Sequence, residues 1–356
     1  MKNATLTNNR NLGIDLLRIL SMLYVLILHT LGRGGILEAA RPHSAQYFGG
    51  WFLEIWAYGA VDIFALISGY VCYSDQPKRV KFSGFAGIWM QAVFYGLLVT
   101  AGVGALRPDL VSGINFLEAL LPVSSGLYWY LTAYAGLFLM MPFLNAGLRQ
   151  LDESAGVKIF WLLFLAFSVF DTVFKRFELN NGYAAFWLVV VYLLGGLVKK
   201  CHIGEKLKGW QAFLGIVLLT FIGWLWKAAG PRFTLFDVQV TKDLLVCYTS
   251  PTVLGASILY LISFAKLKLP HWAGRVIRFA APGAFAAYLL NNQQFVWGFL
   301  YNRFVRLAGR PLPLMLAGVV GFSLAFFVGS VLLDAARRWL FERVLPKKFL
   351  AAGCAR

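Results

Sequence analysis

Residues 12–31 read LGIDLLRILSMLYVLILHTL. A run this apolar matches the about 20 residues that a helix needs to cross a hydrocarbon layer. It is too long and too charged for the h-region of a cleavable signal, and no small-residue cleavage site follows it. The stretch holds three ionisable groups, Asp15, Arg18 and His29. Asp15 and Arg18 stand three apart on a helix and can pair. Arg18 and His29 are eleven apart, about three turns, so they share a face and differ in height by about 16 Å. Charges inside a span are costly and often mark a functional cavity. The plainer alternative is an arginine that snorkels to one interface and a histidine satisfied at the other.

The rest of the chain agrees that the solvent is a bilayer. Of 356 residues, 59% are hydrophobic and only 14% charged, against about 25% charged in a soluble domain. Disorder is excluded by the same apolar content. Ten stretches qualify as spans, near 12–31, 50–73, 82–105, 126–147, 157–174, 183–198, 209–228, 244–265, 277–302 and 312–334. Strands are not expected, because the runs are long and do not alternate. Residues 113–122 read as a short interfacial helix. The fold class is an all-α integral membrane protein, with one transmembrane domain over 1–335. A basic amphipathic cytoplasmic tail follows over 336–356, where Arg337, Arg338, Arg343, Lys347 and Lys348 interleave with Trp339, Leu340 and Phe341.

The net charge of +17 raises nucleic acid as a partner, but topology absorbs it. With the N-terminus cytoplasmic, Lys and Arg divide 21 to 11 between inner and outer segments, with Arg18 inside the first span. That bias places both termini in the cytoplasm and leaves no nucleic-acid partner. Cys72, Cys201, Cys247 and Cys354 show no metal-binding or disulfide spacing, so no metal is expected. Gly321, Ala325 and Gly329 form a small-residue stripe that reads as a helix-packing face. No internal repeat of the kind secondary transporters carry is visible.

Other polar residues interrupt the spans. The second contains Glu54, Asp62 and the Ser68-Gly69-Tyr70 break. The fourth opens on Tyr128-Trp129-Tyr130, by itself an aromatic belt. It ends near Asn145, after a Pro142 expected to kink or stop the helix.

Taken together, these segments resemble a known family. GIDLLRILSMLYVLILH, VDIFALISGY and YWYLTAYAGLFLMMPFLN are similar to successive motifs of the acyltransferase-3 family of integral-membrane O-acyltransferases. NNGYAAFWLVVVYLLGGLVKK and YTSPTVLGASILYLISFAKL resemble later spans of its branch that modifies bacterial surface polysaccharides. The resemblance runs in order along nearly the whole chain. It implies a multi-pass protein of the bacterial inner or plasma membrane. Such a protein moves an acyl group, usually acetyl from acetyl-CoA, to a hydroxyl of a surface polysaccharide or lipid-linked glycan. His29 matches the family's essential histidine and Arg18 its paired arginine, with Asp15 orienting Arg18. The histidine serves as general base or as a covalent acyl carrier. Arg18 suits CoA phosphates or an acceptor carboxylate. Ser68, Tyr128 and Tyr130 are candidates for shaping the pocket or stabilising an oxyanion. Asp62, Tyr70, Trp129 and Asn145 join the expected substrate site.

Two departures stand out. Asn291 occupies the place of a family histidine, and asparagine cannot take up a proton, though it can hydrogen-bond an acceptor. The segment after the second span lacks the family's Arg-Pro pattern, and Lys78, Arg79 and Lys81 supply charge there, for CoA phosphates or for topology. Two rivals remain at this level: a proton-coupled transporter using the same stripe as an ion path, and a sensor that keeps the fold without the chemistry, which Asn291 favours.

Overall fold

The computed structural model describes residues 10–77, 82–235 and 238–344. Among them the chain forms sixteen helices: α1 Leu12–Leu31, α2 Ile36–Ala39, α3 Ala45–Ala57, α4 Ala60–Cys72, α5 Phe82–Leu106, α6 Gly113–Leu120, α7 Trp129–Gln150, α8 Glu153–Phe164, α9 Asp171–Phe174, α10 Ala185–Lys200, α11 Gly209–Ala229, α12 Pro251–Ala265, α13 His271–Ala280, α14 Ala284–Asn291, α15 Gln294–Leu300 and α16 Leu312–Val344. The helical fold class is as expected, and the short helix foreseen at 113–122 is α6. Strands were not expected, yet β1 Phe233–Leu235 and β2 Val238–Val240 pair antiparallel between α11 and α12. Short alternating segments in a connection can close a hairpin without a helix-length apolar run.

Among the described residues, seven stretches are long and apolar enough to cross a membrane: Leu12–Leu31, Ala45–Cys72 (α3 and α4), Phe82–Leu106, Trp129–Gln150, Glu153–Phe174 (α8 to α9), Gly209–Ala229 and Leu312–Arg343. The remaining three expected spans take other forms. The segment near 183–198 becomes α10, with 16 residues, and that near 244–265 becomes α12, with 15. The segment near 277–302 breaks into the end of α13, α14 and α15, with Pro282 in the turn at Ala281–Gly283. Proline removes an amide donor and favours such a break. Of the two outcomes expected at Pro142, a stop is ruled out, because α7 continues through it to Gln150.

The bundle is organised around two buried helices, α1 and α10. Asn11 caps α1 by accepting from the amides of Gly13 and Ile14. Its own amide donates to the Ala265 carbonyl at 2.8 Å, tying the start of α1 to the end of α12. On α10, Trp187, Leu188, Val191, Tyr192, Leu194 and Leu197 have no exposed surface. α10 meets α4 with almost no side chain between them. A Cβ added at Gly69 would lie 1.9 Å from the Tyr192 carbonyl oxygen, and one at Gly195 would lie 2.1 Å from that of Leu66. Small residues allow this close backbone approach, which substitutes for a hydrophobic driving force when the surrounding solvent is itself apolar.

The stripe on α16 does not pack. Gly321 and Gly329 have nothing within 4 Å of a would-be Cβ. The inward face of α16 is instead Ser323, Phe327, Ser330 and Asp334, all buried. Spacings of four, three and four keep them on one side of a helix. Asp334 ends this face and accepts from Gln91 at 2.9 Å and Tyr95 at 3.0 Å, while Arg337 and Arg338 pair with it at 2.9 and 3.0 Å. α16 is continuous across residues 335–336, and Lys347 and Lys348 lie outside the described residues.

Gly69→Ala is therefore expected to destabilise the bundle by about 3 kcal/mol or more, because the collision is with backbone that cannot rotate away. Gly321→Ala should be neutral or stabilising by up to about 1 kcal/mol. Thermal unfolding of the purified variants, followed by size-exclusion, checks the contrast. Equal stability of the two would contradict the close α4–α10 contact.

Candidate active site

The three ionisable groups of α1 fall at opposite ends of the helix. At its start, the Asp15 carboxylate, buried, pairs with Arg10 and with Arg18, whose Nη1 lies 3.1 Å away. The expected Asp15–Arg18 pair is present. Arg18 keeps about a third of its side chain exposed.

At the other end, His29 faces a cavity of about 470 Å³, within the about 300–1,000 Å³ range of small-molecule sites. The cavity lies where α1 ends, where α3 gives way to α4 at Tyr58-Gly59, and where α7 begins. α14 supplies Tyr288, the turn after it supplies Asn292, and α15 supplies Gln294 and Trp297. The break between α14 and α15 is what lets one segment of chain contribute residues on two sides of His29.

His29 is fixed by two neighbours. Its Nδ1 is hydrogen-bonded to the Asn291 side-chain oxygen. Asn291 is only 1% exposed. A carbonyl oxygen only accepts, so Nδ1 carries the proton in this arrangement and Nε2 retains its lone pair. The Trp297 ring meets the imidazole edge-on, with centroids 4.7 Å apart. Arg33 in turn lies over the Trp297 and Tyr301 rings, at 5.2 and 4.4 Å, and donates to the Trp297 carbonyl. Asn291 thus contacts the histidine itself, a partner that its place in the sequence did not disclose.

The other expected site residues separate into two groups. Trp129 and Tyr130 line the cavity with His29. The Trp129 ring packs at a tilt against Tyr183, with centroids 4.7 Å apart, so it belongs to the cavity wall as well as to any belt. The Tyr130 hydroxyl is buried and has no hydrogen-bond partner. The remaining residues do not line the cavity. Asp62 is fully buried and accepts from the Trp187 indole at 2.9 Å. Ser68 donates back to the Phe64 carbonyl at 2.9 Å, within its own helix. Tyr128 is fully buried, with its ring 6.1 Å from that of Tyr288. Tyr70 sits toward the opposite end of α4, where the Lys199 ammonium is 5.7 Å from its ring. Asn145 accepts from Tyr192 at 3.0 Å and donates to the Cys72 carbonyl at 3.5 Å. Lys78, Arg79 and Lys81 lie outside the described residues.

Sequence reasoning did not place Tyr58, Tyr183, Tyr248, Tyr288, Gln294 and Trp297 in the site, and it noted Glu54 only as a buried acid. Glu54 carried a readable signal, being an acid within an apolar span. The aromatic residues carried none, because a tyrosine in a membrane protein most often reads as interface or packing. Among the described residues, no three His, Cys, Asp or Glu side chains gather where a metal ion could sit.

A family model described as an acyltransferase domain, acyltransferase-3, matches residues 11–334. No curated protein and no solved structure matches the chain.

Asp62 is held in the bundle core by the Trp187 indole, and Trp187→Phe tests that contact. One oxygen of Asp62 already has no partner, and removing the indole donor leaves the other unsatisfied as well, at a cost of about 1–3 kcal/mol. Trp187→Phe should lower the unfolding midpoint, and adding Asp62→Ala should recover part of the loss. A double variant less stable than either single change would contradict the pairing.

Proposed function

The chain belongs to the acyltransferase-3 family, and on that premise we propose that it is a multi-pass O-acyltransferase using His29 as general base. The acyl group comes from acetyl-CoA and goes to a hydroxyl of a surface polysaccharide or lipid-linked glycan at the bacterial inner or plasma membrane. The observation that carries this reading is the imidazole at a cavity wall with Nδ1 held by Asn291. A neutral imidazole with a fixed tautomer presents Nε2 as the base. Sugar hydroxyls are weak nucleophiles, and proton removal during attack is the assistance they need.

The acceptor hydroxyl enters the cavity and its oxygen attacks the thioester carbonyl as Nε2 takes the proton. The tetrahedral intermediate collapses, the C–S bond breaks, and the thiolate of CoA receives that proton from His29. An ester and free CoA leave. The unpartnered Tyr130 hydroxyl, on the same wall, is suited to donate to the developing oxyanion. Ser68 is already engaged with Phe64 and is dropped from that role.

In this reading Arg18 meets the CoA phosphates at the far end of α1. The about 16 Å of helix between Arg18 and His29 separates a charged end for the nucleotide from the reacting centre. The loop charges support both termini in the cytoplasm, which puts Arg18 on the side where acetyl-CoA is made. Ten crossings are retained by counting α10, α12 and the broken α13–α15 stretch with the seven long helices. Their shortness fits helices enclosed by protein, where bilayer thickness does not set length.

His29→Ala is expected to reduce acetyl transfer by about 10²–10⁴-fold, the usual contribution of a positioned base. Asn291→Ala should lower kcat roughly tenfold or more by freeing the ring, with KM for acetyl-CoA little changed. Arg18→Ala should do the reverse and raise that KM about tenfold or more. Labelled acetyl-CoA with purified protein, and mass spectrometry of surface glycans from cells carrying each variant, supply the measurements. Wild-type glycan acetylation in cells containing folded His29→Ala protein would refute the mechanism.

A further inference from the structure

Beyond His29, the cavity contains a set of polar groups that the acyl transfer above leaves unused. Glu54 lines the wall, is only 8% exposed, and has a carboxyl oxygen with no hydrogen-bond partner. Gln294 lines it as well, and its side-chain nitrogen is likewise buried without a partner. Buried polar groups are normally satisfied. Two unsatisfied groups on one cavity, one able to accept and one to donate, point to a ligand that brings both functions.

The walls between them are aromatic. Trp129, Tyr183, Tyr248 and Tyr58 form a continuous row, with successive centroids 4.7, 5.3 and 5.0 Å apart. Tyr58 follows Glu54 by one helical turn on α3, so the carboxyl and the end of the row share a face. Aromatic faces pack against the C–H face of a saturated ring while polar groups take the hydroxyls at its edge.

The charge pattern narrows the ring further. No Lys or Arg is among the described residues that line the cavity. Lys227 acts on Glu54 through space but does not line the cavity, and its ammonium pairs with Asp243 and sits 3.4 Å over the Trp51 ring. Arg33 is held by Trp297 and Tyr301. A carboxylate or phosphate on the ligand would face Glu54 with no compensating charge, which is costly in a desolvated site.

We propose that Glu54, with Gln294 and the Trp129–Tyr183–Tyr248–Tyr58 row, is the binding subsite for the acyl acceptor, and that it selects a neutral hydroxylated pyranose ring over an anionic one. Glu54 accepts from ring hydroxyls next to the one that reacts, and so presents that one to His29. This rests on the proposed function for the identity of the reaction, but the binding claim stands on the cavity alone.

The experiment measures binding without acetyl-CoA, on protein in nanodiscs free of glycosidic detergent, whose sugar heads would compete. Intrinsic tryptophan fluorescence is titrated with methyl glucopyranoside, methyl galactopyranoside and methyl glucuronide. The neutral glycosides should bind saturably and the glucuronide about tenfold or more weakly. Glu54→Ala should weaken the neutral glycosides by about tenfold or more, and Glu54→Gln, which keeps an acceptor oxygen, by only about threefold or less. Size-exclusion confirms that each variant is folded, and the comparison of neutral with acidic glycoside needs no variant. Equal binding of the glucuronide, unchanged binding by Glu54→Ala, or no saturable binding of either neutral glycoside would overturn the proposal. Acyl transfer by His29→Ala reports separately on the proposed function, which can fail while sugar binding persists.

Discussion

An unpaired polar group is expensive in a bundle whose solvent is hydrocarbon, and this constraint arranges nearly every polar side chain in the structure. Asp15 is closed by Arg10 and Arg18. Asp334 is closed by Gln91, Tyr95, Arg337 and Arg338. One oxygen of Asp62 accepts a hydrogen bond from the Trp187 indole, while its other oxygen has no partner. Ser257, Ser263, Ser323 and Ser330 return their hydroxyl protons to carbonyls one turn back on their own helices. A few buried polar atoms stay without a hydrogen bond among the described residues, including the Trp51 indole, the Tyr128 hydroxyl and one oxygen of Asp62, and three of them gather around His29. Glu54, Tyr130 and Gln294 lack partners on the same cavity wall, and such incomplete satisfaction is what a binding site requires before its ligand arrives.

The same economy explains the irregular helices. A straight α14–α15 helix would present one face to α1. The break after Asn291 lets Asn291 reach His29 while Gln294 and Trp297 face the cavity from the next segment. The change from α3 to α4 at Tyr58-Gly59 similarly separates Glu54 and Tyr58 from the rest of the second span. Non-helical backbone inside a membrane protein is tolerated where protein or a cavity surrounds it, and both breaks border this cavity. Rigidity comes from elsewhere, chiefly the glycine-mediated contact of α4 with α10, whose backbones nearly touch.

Asn291 shows how a departure from a family pattern can be misread from sequence. As an isolated letter it removes a titratable group and favours a chain that has lost its chemistry. In the fold it is a buried acceptor on Nδ1 of the imidazole, a contact that fixes a tautomer without needing to titrate. The residue at this position therefore sets how the histidine is held.

The sequence alone determined the solvent, the helical class and the two ends of α1. These follow from local rules: an apolar run of 20 residues must be a helix in lipid, and spacings of three and eleven fix the faces of Asp15, Arg18 and His29. Composition and motif order were sufficient because each depends on residues near one another in the chain. The partners of those residues were decided only by the tertiary structure. Asn291 lies 262 positions from His29, and the row of Trp129, Tyr183, Tyr248 and Tyr58 draws on four separate segments. The same holds for packing: the visible Gly321–Gly329 stripe faces outward, while Gly69 and Gly195 carry the close contact. No periodicity reports which helix a residue will meet. That depends on how the whole bundle satisfies its polar groups and fills its volume at once.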